Sequence, residues 1–152
     1  MEVLPGTEAV LRSAVKGLSS EQLARREAPG KWSLNHVIRH LADSDLVWGY
    51  RVRMILAHDR PTLTGYDQDL WADRLGYADA DVSDSLDEFA SLRRGNLRLI
   101  ARASADDLRR VGQHAERGEE SMAHLIRLYA GHDLLHRSQV ERIRRAIMLE
   151  RE

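Results

Sequence analysis

Residues 121–149, SMAHLIRLYAGHDLLHRSQVERIRRAIML, carry the periodicity that decides the fold. Met122, Leu125, Tyr129, Val140, Ile143 and Ile147 fall on one stripe at steps of three and four, and Ser121 stands at the N-cap position. Such a run is a long amphipathic helix packed along one face. Two positions in the middle of the stripe are not apolar: they hold His132 and His136. Side chains at i and i+4 stack on one face of a helix, so these imidazoles can address a common point. A buried imidazole without a partner is costly. A shared metal ion satisfies both rings; hydrogen bonds to Asp, Tyr or backbone at a bundle seam are the alternative.

Three further segments repeat the helical spacing. Thr7 to Val15 reads as a first helix, with Val10, Leu11 and Ala14 inward and Gly17 near its stop. Ser33 is placed to cap a second, from Leu34 to about Ala57, whose stripe is Leu34, Val37, Leu41, Ser44, Trp48, Val52 and Ile55. Asp59-Arg60-Pro61 ends it. Ser83 is read as the cap of a third, with Leu86, Phe89, Ala90, Leu92, Leu97 and Ile100 apolar and an end near Ala103. Between the second and third lies a long crossover, Pro61 to Ala80, in which one helical turn is expected near Gln68 to Arg74 with Trp71 packed over the bundle end. Ser104 and Asp107 have capping-box spacing for a short helix from Ala105 to Arg110. Gly112 to Glu120 reads as an exposed loop. The expectation is an all-α four-helix bundle, one domain over residues 1–152.

The composition narrows the chemistry. The chain has no cysteine among its 152 residues, so it forms no disulfide and offers no thiolate; a metal would be held by nitrogen and oxygen, which suits Zn, Ni, Fe or Mn. Its 23 basic and 24 acidic residues are interspersed, leaving neither a field for nucleic acid nor a polybasic segment for a membrane. No apolar run reaches the ~20 residues of a membrane span. Met1-Glu2-Val3-Leu4-Pro5 lacks the features of a signal peptide, and the expected compartment is the cytoplasm.

A tight site needs a third ligand from another helix. The second helix offers His36 and His40; His40 lies beside Leu41 of the inner stripe and is the better candidate, while His36 falls toward the flank. Asp43 or Asp45 could orient a ring from outside the ligand shell. His58, His114 and His124 read as capping or solvated histidines. Acid or base candidates are Asp45, Tyr50, Tyr66 and Asp67, of which Asp45 and Tyr66 are retained. Arg51, Arg53, Arg137, Arg142 and Arg144 read as solvated helix faces, one or two of which could hold a carboxylate near the metal mouth. Trp48 is expected in the core, and Trp32 as a staple at the helix start.

Gly30-Lys31-Trp32-Ser33 followed by His40-Leu41-Ala42-Asp43-Ser44-Asp45 resembles the second-helix signature of the DinB-like superfamily, closest to its YfiT-like branch of metal-dependent hydrolases. Arg60-Pro61-Thr62-Leu63 through Tyr66-Asp67 to Trp71-Ala72 resembles that branch's crossover, and Tyr129-Ala130-Gly131-His132-Asp133-Leu134-Leu135-His136 its last-helix motif. The resemblance spans about residues 8 to 147. It implies an up-down-down-up bundle with a divalent metal on three histidines, which map onto His40, His132 and His136. It implies either thiol S-transfer, with a low-molecular-weight thiol (bacillithiol, mycothiol or glutathione) as co-substrate, or hydrolysis of a small substrate. A metal- or ligand-binding stress protein without turnover is the reading from another class. Family members often dimerise, and Val47, Met54 and Ile126 lie outside the main stripes, so a homodimer is expected.

Overall fold

The computed structural model describes residues 3–149; Met1 and Glu2, with which the N-terminal reading began, lie outside the described residues. Four long helices dominate: α1 (Val3–Val15), α3 (Leu34–Ala57), α5 (Val82–Arg102) and α7 (Met122–Leu149). Short elements join them: α2 (Ser20–Ala24), β1 (Thr62–Leu63), α4 (Gln68–Arg74), a 3-10 turn (Tyr77–Asp79), α6 (Ala105–Arg109), β2 (Val111–His114) and β3 (Gly118–Ser121).

Inter-helix bonds give the direction of each helix. Arg39 meets Glu88, Asp45 meets Arg93 and Arg53 meets Asn96, so α3 and α5 run the same way. Thr7 bonds Asp133 and Arg144 bonds the Ala14 carbonyl, so α1 and α7 are also parallel. His40 faces His132 while Ser44 meets Tyr129, which sets α7 against α3. The order is up-down-down-up. Parallel neighbours α3 and α5 cannot be joined by a tight turn, and the crossover through β1 and α4 is the consequence. Gly49 lets them close: a Cβ there would sit 2.3 Å from the Asn96 side chain.

The stripe of α3 is buried as expected, and so is that of α7 with two changes. Asp133 is fully enclosed, while His132 is only half-buried. Helix α1 begins earlier than expected and buries Leu4 and Thr7 with Leu11 and Ala14, leaving Val10 partly exposed. Asp81, not Ser83, caps α5, accepting from the Asp84 N–H, because Val82 is already drawn into the core. The expected capping box of Ser104 and Asp107 is present in both directions. Ser33 stands at the N-cap, but its hydroxyl bonds the His36 ring and no backbone N–H.

The main correction concerns residues 112–120. Only the turn at 115–117 is the exposed loop expected: β2 and β3 pair as a hairpin, and β1 adds in parallel to β2, with Thr62 opposite Gln113 and Leu63 opposite His114. Gly112 makes this possible, since a Cβ there would lie 2.7 Å from the Leu63 side chain. His114 and Glu120 are consequently buried.

The apolar core has two parts. One gathers Leu11, Val37, Leu41, Phe89, Val140 and Ile143; the other gathers Leu4, Trp48, Val52, Ile55, Met122 and Leu125. Between them lies a polar layer. Arg93 donates from Nε and Nη2 to Asp45 and from Nη1 and Nη2 to Asp133, while Nη1 also reaches the Leu4 carbonyl. Its guanidinium carbon sits 4.7 Å from the Phe89 ring centroid and 5.5 Å from that of Trp48. Among the described residues no helix is long and apolar enough to cross a membrane.

Candidate metal centre

The same level of the bundle brings three histidines together. His40 of α3 and His132 and His136 of α7 each offer a ring nitrogen, all within 4.8 Å of one another. The His40 and His132 Nε2 atoms are 3.1 Å apart. Two imidazole nitrogens on one ion at ~2.0–2.1 Å stand roughly 2.9–3.4 Å apart when the angle between them is near 90–110°. The pair therefore has the spacing of adjacent ligands. His136 spends Nδ1 on the Gln139 Oε1 at 2.8 Å, which leaves its Nε2 for the cluster.

Electrostatics favour the ligating form. Burial, helped by the neighbouring imidazoles, pushes His40 down to about 2 and His132 to about 4. Burial also lowers His136, partly offset by its bond to Gln139. All three rings are neutral near pH 7, with lone pairs available. The Nδ1 atoms of His40 and His132 are buried without a protein partner. This group can hold a divalent ion: the donor set, the spacing and the protonation state all fit.

The surroundings explain why the rings stay where they are. Trp32 packs its ring 5.0 Å from that of His40, so the residue read as a staple forms a wall of the centre. Ser44, one turn after His40, places Oγ 3.3 Å from the His40 Nε2 and 2.9 Å from the Tyr66 hydroxyl. Tyr66 packs at 4.5 Å against Trp71 with the ring planes tilted by 43°, which folds the crossover back over the site. Tyr129 lies against Trp48 at 4.5 Å and donates to the Ser44 carbonyl. The centre forms part of the wall of a cavity of about 720 Å³ that is also lined by Ser44, Arg51, Tyr66, Arg117, Arg127 and Leu135.

Several sequence expectations fall elsewhere. Neither Asp43 nor Asp45 orients an imidazole: Asp43 accepts from Tyr77 and Arg39, and Asp45 from Arg93 and Asn96. With both oxygens held by Arg93, Asp45 is 1% exposed and has no path to a substrate, so of the two acid or base candidates only Tyr66 stands at the cavity. Tyr50 is exposed, and Asp67 caps α4. His36 is buried but turned away, bonded to Ser33 and Arg26. His58 and His124 are exposed at helix ends. His114, read as solvated, is buried and accepts at Nδ1 from the N–H groups of Glu116 and Arg117. Arg51 is likewise buried, not a solvated face. Gln139 was missed; its signal was the i+3 spacing from His136.

The comparisons with known proteins agree with this geometry. The family model described as the DinB superfamily matches residues 4–140. A Bacillus cereus protein named "Putative metal-dependent hydrolase" is 29% identical over 137 residues, covering 90% of this chain and 79% of its own. One of the same description from Oceanobacillus iheyensis is 29% identical over 131 residues, 86% of this chain and 76% of its own. Among solved structures, YfiT from Bacillus subtilis, described as "a probable metal-dependent hydrolase with an unusual four-helix bundle topology", superposes with a TM-score of 0.88 at 25% identity, over 95% of this chain and 83% of its own. Helix order, the histidine trio and a match over nine-tenths of the sequence lead to one assignment: the chain belongs to the DinB superfamily.

Proposed function

We propose that this chain is a cytoplasmic metal-dependent enzyme, a single domain over residues 1–152, that joins a low-molecular-weight thiol to an electrophilic small molecule. The thiol is of the bacillithiol, mycothiol or glutathione type. The observation that carries the reading is the trio of neutral imidazoles, with no carboxylate in the group, at the wall of an open cavity.

His40, His132 and His136 would hold one divalent ion, and their nitrogen donors suit Zn, Ni, Fe or Mn. A divalent ion on neutral ligands supplies a centre that acidifies a bound thiol or water. The chain contributes no thiol of its own, having no cysteine, so the nucleophile arrives as substrate. In the transfer a carbon–sulfur bond forms, the bond to the leaving group breaks, and the thiol proton departs with that group. Tyr66, which lines the cavity, would manage this proton. Burial raises its hydroxyl above the ordinary tyrosine value, so it stays protonated and can donate to a leaving group or a developing oxyanion. Ser44 fixes its position.

Hydrolysis is the second reading, favoured by the descriptions of the Bacillus and Oceanobacillus relatives. It uses the same residues with water in place of the thiol. The test is conjugation of a generic electrophile with bacillithiol, mycothiol and glutathione, with and without Zn, Ni, Fe or Mn. A metal-dependent rate with one thiol is expected, reduced about 10²-fold in Tyr66→Phe at unchanged metal content. No metal-dependent rate with any thiol overturns the transferase reading and leaves hydrolysis in its place.

A further inference from the structure

Arg51 is an unusual cation. It is 5% exposed, yet among the described residues it forms no ion pair. Its one hydrogen bond to an acceptor leaves from Nη2 to the Thr64 carbonyl at 2.6 Å, and the His114 Nε2 lies 3.5 Å from the same Nη2. Nε is buried without a partner, and Nη1 makes no bond among the described residues. A guanidinium enclosed this far ordinarily meets a carboxylate, as Arg93 does between Asp45 and Asp133.

The neighbours do not supply the missing charge. Arg117 is a second cation, and it takes up Glu120, at 2.5 Å from Nε to Oε1. The His114 ring faces Arg51 with Nε2, because its Nδ1 accepts from two backbone N–H groups; Nε2 therefore carries the proton and is no acceptor for Arg51. Arg127 adds a further positive group to the same cavity. Of the cations lining the cavity, Arg117 is thus paired with Glu120, while Arg51 and Arg127 have no carboxylate partner among the described residues.

Arg51 also lies in register with the metal centre. It stands eleven residues after His40 on α3, three full turns, and so on the same helix face, ~16 Å along the axis between Cα atoms. Helix side chains lean toward the N-terminus, which brings the guanidinium back toward His40. Both residues line one cavity.

We propose that Arg51 is the anion anchor of this cavity and that the substrate carries a carboxylate, which Arg51 binds while the reacting end of the molecule lies at the three histidines. This rests on the functional reading above only for what happens at the other end; the anchor itself is independent of which reaction runs. A carboxylate offers two oxygens to the unspent N–H groups and neutralises the enclosed charge. A phosphate monoester or inorganic phosphate shares that chemistry and is separated from a carboxylate by experiment.

The test uses metal-free protein, so that no anion binds through an ion. Acetate, succinate and inorganic phosphate are titrated in turn while the arginine Nε–H resonances are followed by 15N–1H NMR. Succinate is expected to move the Arg51 Nε–H signal saturably, and Arg51→Gln to weaken its binding at least 10-fold. Arg127→Gln, which removes the same charge from the rim, is expected to change it less than 3-fold. Should Arg51→Gln fail to fold, Arg51→Lys and the wild-type resonance carry the test. An unmoved Arg51 signal at saturating anion, or greater sensitivity to Arg127→Gln than to Arg51→Gln, overturns the anchor. Phosphate shifting the signal where the carboxylates do not overturns the carboxylate assignment. Absence of thiol transfer in the earlier assay leaves every one of these outcomes readable.

Discussion

Replacing Arg93 with leucine tests the polar layer on which the metal centre rests. Arg93 holds Asp45 and Asp133 with five hydrogen bonds of 2.5–3.2 Å, all three side chains being 4% exposed or less. Leucine fills much of the volume but leaves two carboxyl groups in the core without their cation. Breaking a buried pair from one side costs about 3–5 kcal/mol. At this chain length 1 kcal/mol moves Tm by roughly 2–4 °C, so Arg93→Leu is expected to melt about 6–20 °C lower. Urea unfolding followed by circular dichroism gives the free energy directly, with an unchanged m-value as the sign that only stability moved. Because Asp133 directly follows His132 on α7, metal affinity is expected to fall about 10-fold as well. Replacing all three residues with leucine is expected to recover part of the loss, since no charge is then stranded. A cost below about 1 kcal/mol for Arg93→Leu, or a triple variant less stable than the single one, refutes the argument that charge compensation holds this layer together.

Elemental analysis is expected to give one divalent ion per chain, and His132→Ala and His136→Ala to lose more affinity than the ~100-fold that follows loss of an outer hydrogen-bond partner. Gln139→Ala, which frees the His136 Nδ1, is expected to lose about 10- to 100-fold; metal binding equal to the parent in both histidine variants excludes the site. In metal-free protein the folded-state values of His40 and His132 lie below the unfolded 6.5, so the unfolded chain takes up protons that the folded one refuses. Stability is then fully present above about pH 6.5 and falls as pH drops toward 4, by up to ~1.4 kcal/mol per unit per ring; a flat urea midpoint from pH 7 to 4.5 contradicts this. A homodimer is expected at tens of micromolar, with Leu46, Tyr50, Leu134 and Leu135 among the exposed apolar side chains of α3 and α7, since Val47, Met54 and Ile126 are at least partly buried; sedimentation as a monomer removes it.

Much of this was legible because it is local. The stripes of α3 and α7 follow from spacing alone, and Ser104 with Asp107 announces α6 through a contact three residues long. His132 and His136 stood out because they interrupt an apolar stripe. The hairpin was not legible: Val111-Gly112-Gln113-His114 has no strand alternation of its own, and its partner Thr62–Leu63 lies some fifty residues earlier. Arg51 was misread, and Asp133 passed over, for a related reason. A charged residue in sequence reads as solvated, and only the fold shows that Asp133 faces Arg93, or that β2 closes over Arg51 through His114.

The pocket and the polar layer have one origin. Each long helix breaks its apolar stripe at the same level: Thr7 on α1, Ser44 and Asp45 on α3, Arg93 and Asn96 on α5, Asp133 and the two histidines on α7. On the inner side these breaks are satisfied by one another, which uses every N–H of the Arg93 guanidinium. On the outer side α3 still presents His40, Ser44 and Arg51, a polar flank that would face water in an ordinary bundle. The parallel course of α3 and α5 prevents that, because the crossover it requires lays Tyr66 against Ser44 and delivers Thr64 to Arg51. The hairpin then supplies His114. A topology forced by helix direction thus encloses a helix face whose polar groups have too few protein partners, and a metal ion and an anionic ligand are what would complete them.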